Sequence, residues 1–268
     1  MSQAAKADLF HQLHQGPDVL ILPNAWDAAS AAVVADAGAK AVATSSAAVA
    51  WTFGQADGDI LAVDNTCAVV EAIVRVVDTP VSCDFEGGFT DDLDQLAQNI
   101  TRVIQAGAVG INFEDGSRDP NLHARKIAAA RQAAEKAGVN LFINARTDVY
   151  LRQLATGDAA EAEAIRRGKL YREAGASGVF VPGAADPDLI GRLAAAIPAP
   201  LNILAWPGAP DAATLKTLGV RRLSAGTGTF NIAFAALARA AADFLAQGSS
   251  DAVFAAAKGA PALQKRFA

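Results

Sequence analysis

VSCDFEGGFTDDLDQLAQNITRVIQAGAVGINFED, residues Val81 to Asp115, holds one full period of this chain. An apolar run from Val81 to Glu86 ends in acids, a helical pattern follows over 91–106, Gly107 turns the chain back, and a second apolar run from Val109 to Glu114 again ends in acids. A strand buried on both faces reads as a continuous apolar run, not as an alternation. Outward from this unit the rhythm repeats, with runs at Val19–Leu22, Ala41–Ser45, Leu141–Arg146, Gly178–Val181, Leu201–Ala205 and Arg221–Ser224. The intervening patterns predict helices over 27–37, 64–77, 122–137, 159–174, 186–196, 211–217 and 229–246, with Thr90 and Asp158 as caps and Gly38, Gly107, Gly138, Gly175 and Gly219 closing helices. Strict strand–helix alternation implies parallel, right-handed crossovers. Eight such units predict an α/β fold, a (β/α)8 TIM-type barrel. A doubly wound open sheet usually carries a glycine-rich turn after its first strand, and here that turn reads Pro23-Asn24-Ala25-Trp26-Asp27. No Pro/Ser-rich linker interrupts the chain, so residues 1–268 are expected to form a single domain with 249–268 as a C-terminal helical tail.

Of the 268 residues 52% are hydrophobic and 19% charged, with a net charge of −5. That balance excludes intrinsic disorder and offers no basic footprint for nucleic acid. Two cysteines, Cys67 and Cys83, make no disulfide or zinc framework, so a reducing, cytoplasmic compartment is expected. No continuous apolar run reaches the roughly 18 residues of a membrane span, and an N-terminus bearing Lys6, Asp8 and His11 lacks a signal-peptide core.

In such a barrel the chemistry sits at the C-terminal ends of the strands. Strand three ends with Asp84 and Glu86, two residues apart and so expected on one face; strand four ends with Glu114, and Asp57 stands in the long loop after strand two. An all-oxygen set of this kind suits Mg2+, with Mn2+ as a substitute, although each acid could equally cap the helix that follows. Arg146, ending strand five, offers a planar fork for a carboxylate or oxyanion, or else a salt bridge with Asp148 or Glu114. Ser45, Ser46 and Ala47 could present backbone N–H groups to a carboxylate, or simply cap a turn. No lysine or histidine ends a predicted strand, which argues against Schiff-base aldolase and histidine-ligated hydrolase chemistry. Gly226-Thr227-Gly228 is either a phosphate turn or a tight left-handed turn, and Cys83 reads as a buried structural thiol.

Taken in order, Asn24-Ala25-Trp26-Asp27, Thr44-Ser45-Ser46 with Asp57-Gly58, Asp84/Glu86 with Gly87-Gly88, Asn112-Phe113-Glu114-Asp115, Asn144-Ala145-Arg146-Thr147-Asp148, Val181-Pro182-Gly183 and Leu201-Asn202-Ile203 resemble the isocitrate lyase/phosphoenolpyruvate mutase superfamily over nearly the whole chain. The resemblance implies a Mg2+-dependent barrel that makes or breaks a C–C or P–C bond beside an enolate. It implies Asp84 as direct metal ligand and Asp57, Glu86 and Glu114 as partners acting largely through metal-bound water. Arg146 corresponds to the arginine on the substrate carboxylate and oxyanion, Ser45–Ala47 to the carboxylate-holding backbone, and Asn202 to a polar group lining the pocket. Two departures are plain: the loop 115–123 lacks the lyase cysteine motif and the mutase pattern, and Glu86 replaces the usual aspartate. What remains resembles the branch of 2-oxo-acid lyases and oxaloacetate decarboxylases.

The expectation is therefore a lyase or decarboxylase acting on a small 2-oxo or 2-hydroxy acid, with the loop closing over the site and Ser117, Asp119, His123 or water giving the proton. The alternatives are an oxo-acid-binding barrel without efficient turnover, a phosphonopyruvate-type P–C bond enzyme, and a phosphate-ester enzyme using Gly226–Gly228. Relatives assemble through their last helix, which implies a homo-oligomer, dimer or tetramer, with Ala252–Ala257 and Phe254 as contact candidates.

Overall fold

The computed structural model describes residues 1–268. In chain order it contains α1 (Gln3–Leu13), β1 (Leu20–Leu22), β2 (Asn24–Ala25), α2 (Ala28–Asp36), β3 (Val42–Thr44), α3 (Ser46–Thr52), α4 (Val63–Val74), β4 (Val81–Asp84), α5 (Leu93–Gln105), β5 (Gly110–Glu114), α6 (Pro120–Lys136), β6 (Phe142–Arg146), α7 (Gly157–Glu173), β7 (Gly178–Phe180), α8 (Pro187–Ala196), β8 (Leu201–Leu204), α9 (Ala212–Thr217), β9 (Arg222–Ser224), α10 (Gly228–Gln247), α11 (Ser250–Ala256) and α12 (Leu263–Phe267). All strands are parallel, in the order β1-β9-β8-β7-β6-β5-β4-β3-β2.

β1 and β2 are two halves of one barrel stave. Pro23 between them has no N–H for a ladder, so β1 pairs with β9 and β2 with β3, and the stave closes the ring on both sides. Asn24 stitches this seam: its Nδ2 donates to the Thr44 carbonyl at 2.7 Å, its Oδ1 accepts from Gly226 N at 2.9 Å, and its carbonyl accepts from Thr229 Oγ1 at 2.6 Å. The eight predicted strands and the eight predicted helices are all present, each shorter or longer by a few residues at its ends. The caps differ. Asp92 caps α5, accepting from Gln95 N at 2.8 Å, while Thr90 accepts from Asp92 N instead; Thr156, and not Asp158, is the N-cap of α7.

The spacing missed α1 and α3. α1 plugs the N-terminal end of the barrel: buried Phe10 packs edge-on against Phe142 at 5.4 Å, and His14 stacks on the same ring at 3.9 Å. His14 Nδ1 lies 2.7 Å from the Phe10 carbonyl and so carries the proton that it donates there. Burial pulls the His14 pKa down to about 3, leaving the ring neutral. The barrel interior is polar at mid-height. Asn112 Oδ1 accepts from Asn144 Nδ2 at 2.8 Å and from Arg222 Nη2 at 3.2 Å, and Arg222 Nε donates to Ser224 Oγ at 3.0 Å. Asp84 is in register with Asn112, and it is the acid whose charge opposes the fall of the buried Arg222 guanidinium to about 9.

The last helix leaves the wall. Along α10 only Phe230 is buried, and Leu245 is 87% exposed. This 20-residue helix is long and apolar enough to pass a length-and-composition test for a membrane span, although Arg239 and Asp243 interrupt its apolar run. The outer face of β1 is correspondingly bare: Ile21 is 52% exposed in a groove of about 670 Å³ with Leu13, Val19 and Val34. The tail is helical, as expected, and returns to the barrel through Arg266, which donates to Asp36 and to the Val76 carbonyl.

The plug makes one glycine indispensable. A Cβ on Gly110 would stand 2.6 Å from Phe10 Cε1, so Gly110→Ala must push α1 outward and should cost about 1–3 kcal/mol of stability by overpacking, read as a lowered midpoint in denaturant.

Candidate active site

Asp84 ends β4 at the barrel mouth, where its Oδ2 accepts from Ser46 N, the first residue of α3, at 2.9 Å. Its own N–H donates to Thr44 Oγ1 at 2.7 Å. Two donors of the expected carboxylate cradle are therefore spent inside the protein: Ser46 N–H on Asp84, and Ser45 N–H on the Ala25 carbonyl at 3.2 Å. Ala47 sits in the first turn of α3.

Glu86 is delivered differently from the strand alternation expected. β4 stops at Asp84, and Glu86 stands in a left-handed turn at φ +50°. Its Oε2 accepts from Gly58 N at 2.8 Å and from Asp59 N. Asp59 answers in kind, its Oδ1 accepting from Gly87 N and Phe89 N at 3.0 Å each. Each carboxylate thus fastens the other's backbone, and this reciprocal brace joins the loop carrying Asp57 to the turn carrying Glu86.

Glu114, at the end of β5, pairs through Oε2 with Arg146 Nη1 at 2.6 Å. Arg146, at the end of β6, also reaches Asp148, with Nε to Oδ1 at 2.6 Å and Nη2 to Oδ2 at 3.1 Å. Both salt bridges considered from the sequence are present. Asp148 is itself fixed, by Arg152 Nε at 3.0 Å and by its own N–H on Asp115 Oδ1 at 2.9 Å. Asp115 is fully buried and accepts from Arg167 Nη1 at 2.8 Å and Tyr171 Oη at 2.6 Å. Three of the five N–H groups of Arg146 are engaged, on Glu114 and Asp148, which leaves two.

The electrostatics show a surplus of negative charge. Burial lifts the Glu114 carboxyl to about 8; Arg146 pulls against this, and Asp148, Asp84 and Asp57 push with it. Burial also lifts Glu86 to about 7, where the Asp59 N–H pulls back and Asp57, Asp59 and Asp84 push further. Asp57 is raised by burial and then by Asp84. Asp57, Asp84, Glu86 and Glu114 therefore share one electrostatic field. An added divalent cation would relieve this crowding, and the all-oxygen donors match a hard ion. No three His, Cys, Asp or Glu side chains converge as direct ligands of one ion. Of the four acids only Asp84 and Glu86 line a cavity, of about 10 Å³, shared with Thr44, Ser46 and apolar residues such as Val49 and Leu61, whereas a groove of about 1010 Å³ runs along the outer wall by α5 and α6. Convergent charge, and not volume, marks the site.

Other expectations are corrected. Asn202 lies within the barrel layer, 1% exposed, its Oδ1 accepting from Ser224 Oγ at 3.2 Å and its Nδ2 without a partner. His123 is fully buried against Tyr171 and Phe113, and burial pulls it to about 3, so it is no proton donor at the mouth. Asp119 caps α6 through Asn121 N, whereas Ser117 is exposed. The Gly226 N–H is held by Asn24 and that of Gly228 by the Ala225 carbonyl, so two donors of the imagined phosphate turn are consumed. Cys83 is buried, as expected. Asp59 was not singled out, although it lies two residues from the predicted acid Asp57.

The sequence profile described as phosphoenolpyruvate phosphomutase matches residues 10–245. An uncharacterized protein of Mycobacterium tuberculosis is 38% identical over 237 residues, covering 87% of each chain. The oxaloacetate decarboxylase of Pseudomonas fluorescens is 27% identical over 237 residues, 86% of this chain and 81% of its own. Among solved structures, a candidate phosphonomutase of Burkholderia cenocepacia is 40% identical, with a TM-score of 0.85 over 92% of this chain and 100% of that one. A phosphonopyruvate hydrolase in complex with oxalate and Mg2+, 22% identical, shares the fold with a TM-score of 0.85 over 98% of this chain and 94% of its own. Curated relatives also include 2-methylisocitrate lyases, and a profile match that spans the barrel and most of α10 makes this chain a member of the phosphoenolpyruvate phosphomutase family.

Proposed function

We propose that the protein is a Mg2+-dependent lyase or decarboxylase that breaks a C–C bond in a small 2-oxo or 2-hydroxy acid, a cytoplasmic enzyme with Mn2+ as substitute ion. The observation that carries this reading is the single field shared by Asp57, Asp84, Glu86 and Glu114, with Arg146 braced at its edge by Glu114 and Asp148. Asp84 would be the direct ligand, and Asp57, Glu86 and Glu114 would act through water; the ion, when bound, supplies Lewis-acid stabilisation of developing negative charge. Arg146 has two free N–H groups, and its orientation is set before substrate arrives, so it meets a carboxylate or an enolate oxygen without reorganisation. Glu114, lifted by burial to about 8, is the group at hand to hold a proton near neutral pH, and burial raises Asp57 in the same direction. Ser45, Ser46 and Ala47 form the wall beside Asp84, and the Asn202 amide is a polar group of the barrel floor.

The family profile and the 40% identical structure favour a second reading, P–C bond chemistry on a phosphonopyruvate-like substrate. The same carboxylates and arginine would serve it.

We also read the chain as a homo-oligomer. α10 projects its apolar residues Ile232, Leu237 and Leu245 into solvent while the outer face of β1, where a barrel helix normally packs, is bare. A second copy supplies a helix of fitting composition for that groove.

A Mg2+-dependent assay for pyruvate or glyoxylate release across oxaloacetate, 2-hydroxy dicarboxylates, methylisocitrate and phosphonopyruvate should find one substrate, with turnover falling at least about 100-fold in Asp84→Ala. Turnover of phosphonopyruvate alone would select the second reading, and binding of oxalate with no turnover of any compound would mark an oxo-acid-binding barrel. For assembly, light scattering on eluting protein should give a multiple of the 27.4 kDa chain, with Ile232→Glu/Leu237→Glu shifting it to the monomer mass; a wild-type monomer would defeat that part of the proposal.

A further inference from the structure

The loop between β5 and α6 was expected to be a lid. Instead it is tied down, by a residue that the mechanism above does not use. Arg118 Nη2 pairs with Asp59 Oδ2 at 2.7 Å, and its Nε with Asp91 Oδ1 at 2.8 Å. Asp91 Oδ1 also accepts from Lys126 Nζ at 2.7 Å, and that fully buried ammonium donates to the Gly87 carbonyl at 2.6 Å. Three loops, those following β3, β4 and β5, are thereby joined at one guanidinium.

What Arg118 holds is strained. Asp59, Glu86 and Phe89 all lie in the left-handed region, at φ +61°, +50° and +64°, and Gln153 is the chain's one other non-glycine residue there. Such conformations cost on the order of 1 kcal/mol each and persist where surrounding contacts over-determine them. Here those contacts are the reciprocal Asp59–Glu86 brace, and Arg118 grips the Asp59 oxygen that the brace leaves free. Gly87 completes the fit: a Cβ there would overlap Arg118 and Asp59, so the guanidinium lies directly against the backbone of the turn.

We propose that Arg118 is a positioning residue for Glu86, bridging Asp59 and Asp91 so that the loop 115–119 clamps the turn 86–89 and fixes the direction of the Glu86 carboxylate. Its effect on cation affinity rests on the reading of Glu86 given above; the clamp itself does not.

The test compares Arg118→Gln, Gly87→Ala and the conservative Arg118→Lys with wild type. Gly87 has no positive φ, so a methyl there displaces the guanidinium and the Asp59 carboxylate that it grips without a backbone penalty. Amide hydrogen exchange at 57–59 and 86–89 should quicken by about tenfold or more in the first two variants, with the unfolding midpoint of the barrel little changed. Mn2+ binding by calorimetry should weaken about 10- to 100-fold, the usual range for loss of an outer partner, with Arg118→Lys intermediate. Unchanged exchange in Arg118→Gln overturns the proposal, whereas faster exchange with Mn2+ bound as tightly as by wild type upholds the clamp and overturns the reading of Glu86 as a partner of the cation. Faster exchange in the variants, with a wild-type protein that binds no Mn2+, upholds the clamp and removes the metal-dependent function instead.

Discussion

Burying several carboxylates at one barrel mouth is the constraint on which the rest of this structure depends. An uncompensated buried charge costs several kcal/mol, and a pair repays that only when its remaining lone pairs are also satisfied. The chain answers with backbone N–H groups on Glu86, Asp84 and Asp59, and with arginines on Glu114, Asp148 and Asp115. These answers dictate local architecture: α3 begins where its first N–H meets Asp84, and the loop before α4 is shaped by what Glu86 accepts. The compensation remains incomplete at Glu86 and Glu114, both pushed toward neutral pH.

Much of this was legible in the sequence because apolar runs and their polar ends are local signals. Each run marked a strand, and each terminal acid or arginine lay at the mouth, since the barrel topology assigns one end of every strand to the same rim. α1 was not legible: Ala7 and Phe10 are its only buried residues, too sparse a stripe to show a helical period. α3 was missed because it is seven residues long and follows the strand without a turn signal. Alternation failed at Glu86, because a left-handed residue after a strand end turns the side chain in a way that no period records. Asn202 was placed at the pocket by resemblance, and the layer it joins inside the barrel is set by register with Arg222, which a single strand's sequence does not reveal. Arg118 and Lys126 draw their meaning from residues 27 to 59 positions away.

The family assignment and the site carry different information. A shared barrel states which rim holds the chemistry, while the bond broken depends on what the loops present there. In this chain the loop after β5 has neither the cysteine motif of the isocitrate lyases nor the mutase pattern, and it is short and clamped. A fixed wall of that kind suits a small substrate that enters without large rearrangement.

The plug under the barrel also makes the protein a sink for protons when it unfolds. His14, capping the C-terminus of α1, and His123 in α6 are held neutral, each at about 3, while an unfolded chain titrates them near the ordinary 6.5. Between those values the unfolded state binds more protons than the folded one, so stability falls as pH drops from about 6.5 toward 3, at about 1.4 kcal/mol per pH unit for each ring, and above 6.5 neither contributes a slope. One ring stacks on Phe142 at the bottom of the barrel and the other lies behind the β5 wall. Acid therefore acts on the closure of the barrel and on the backing of its mouth together, in a pH range below that in which the rim carboxylates Glu114 and Glu86 take up their protons.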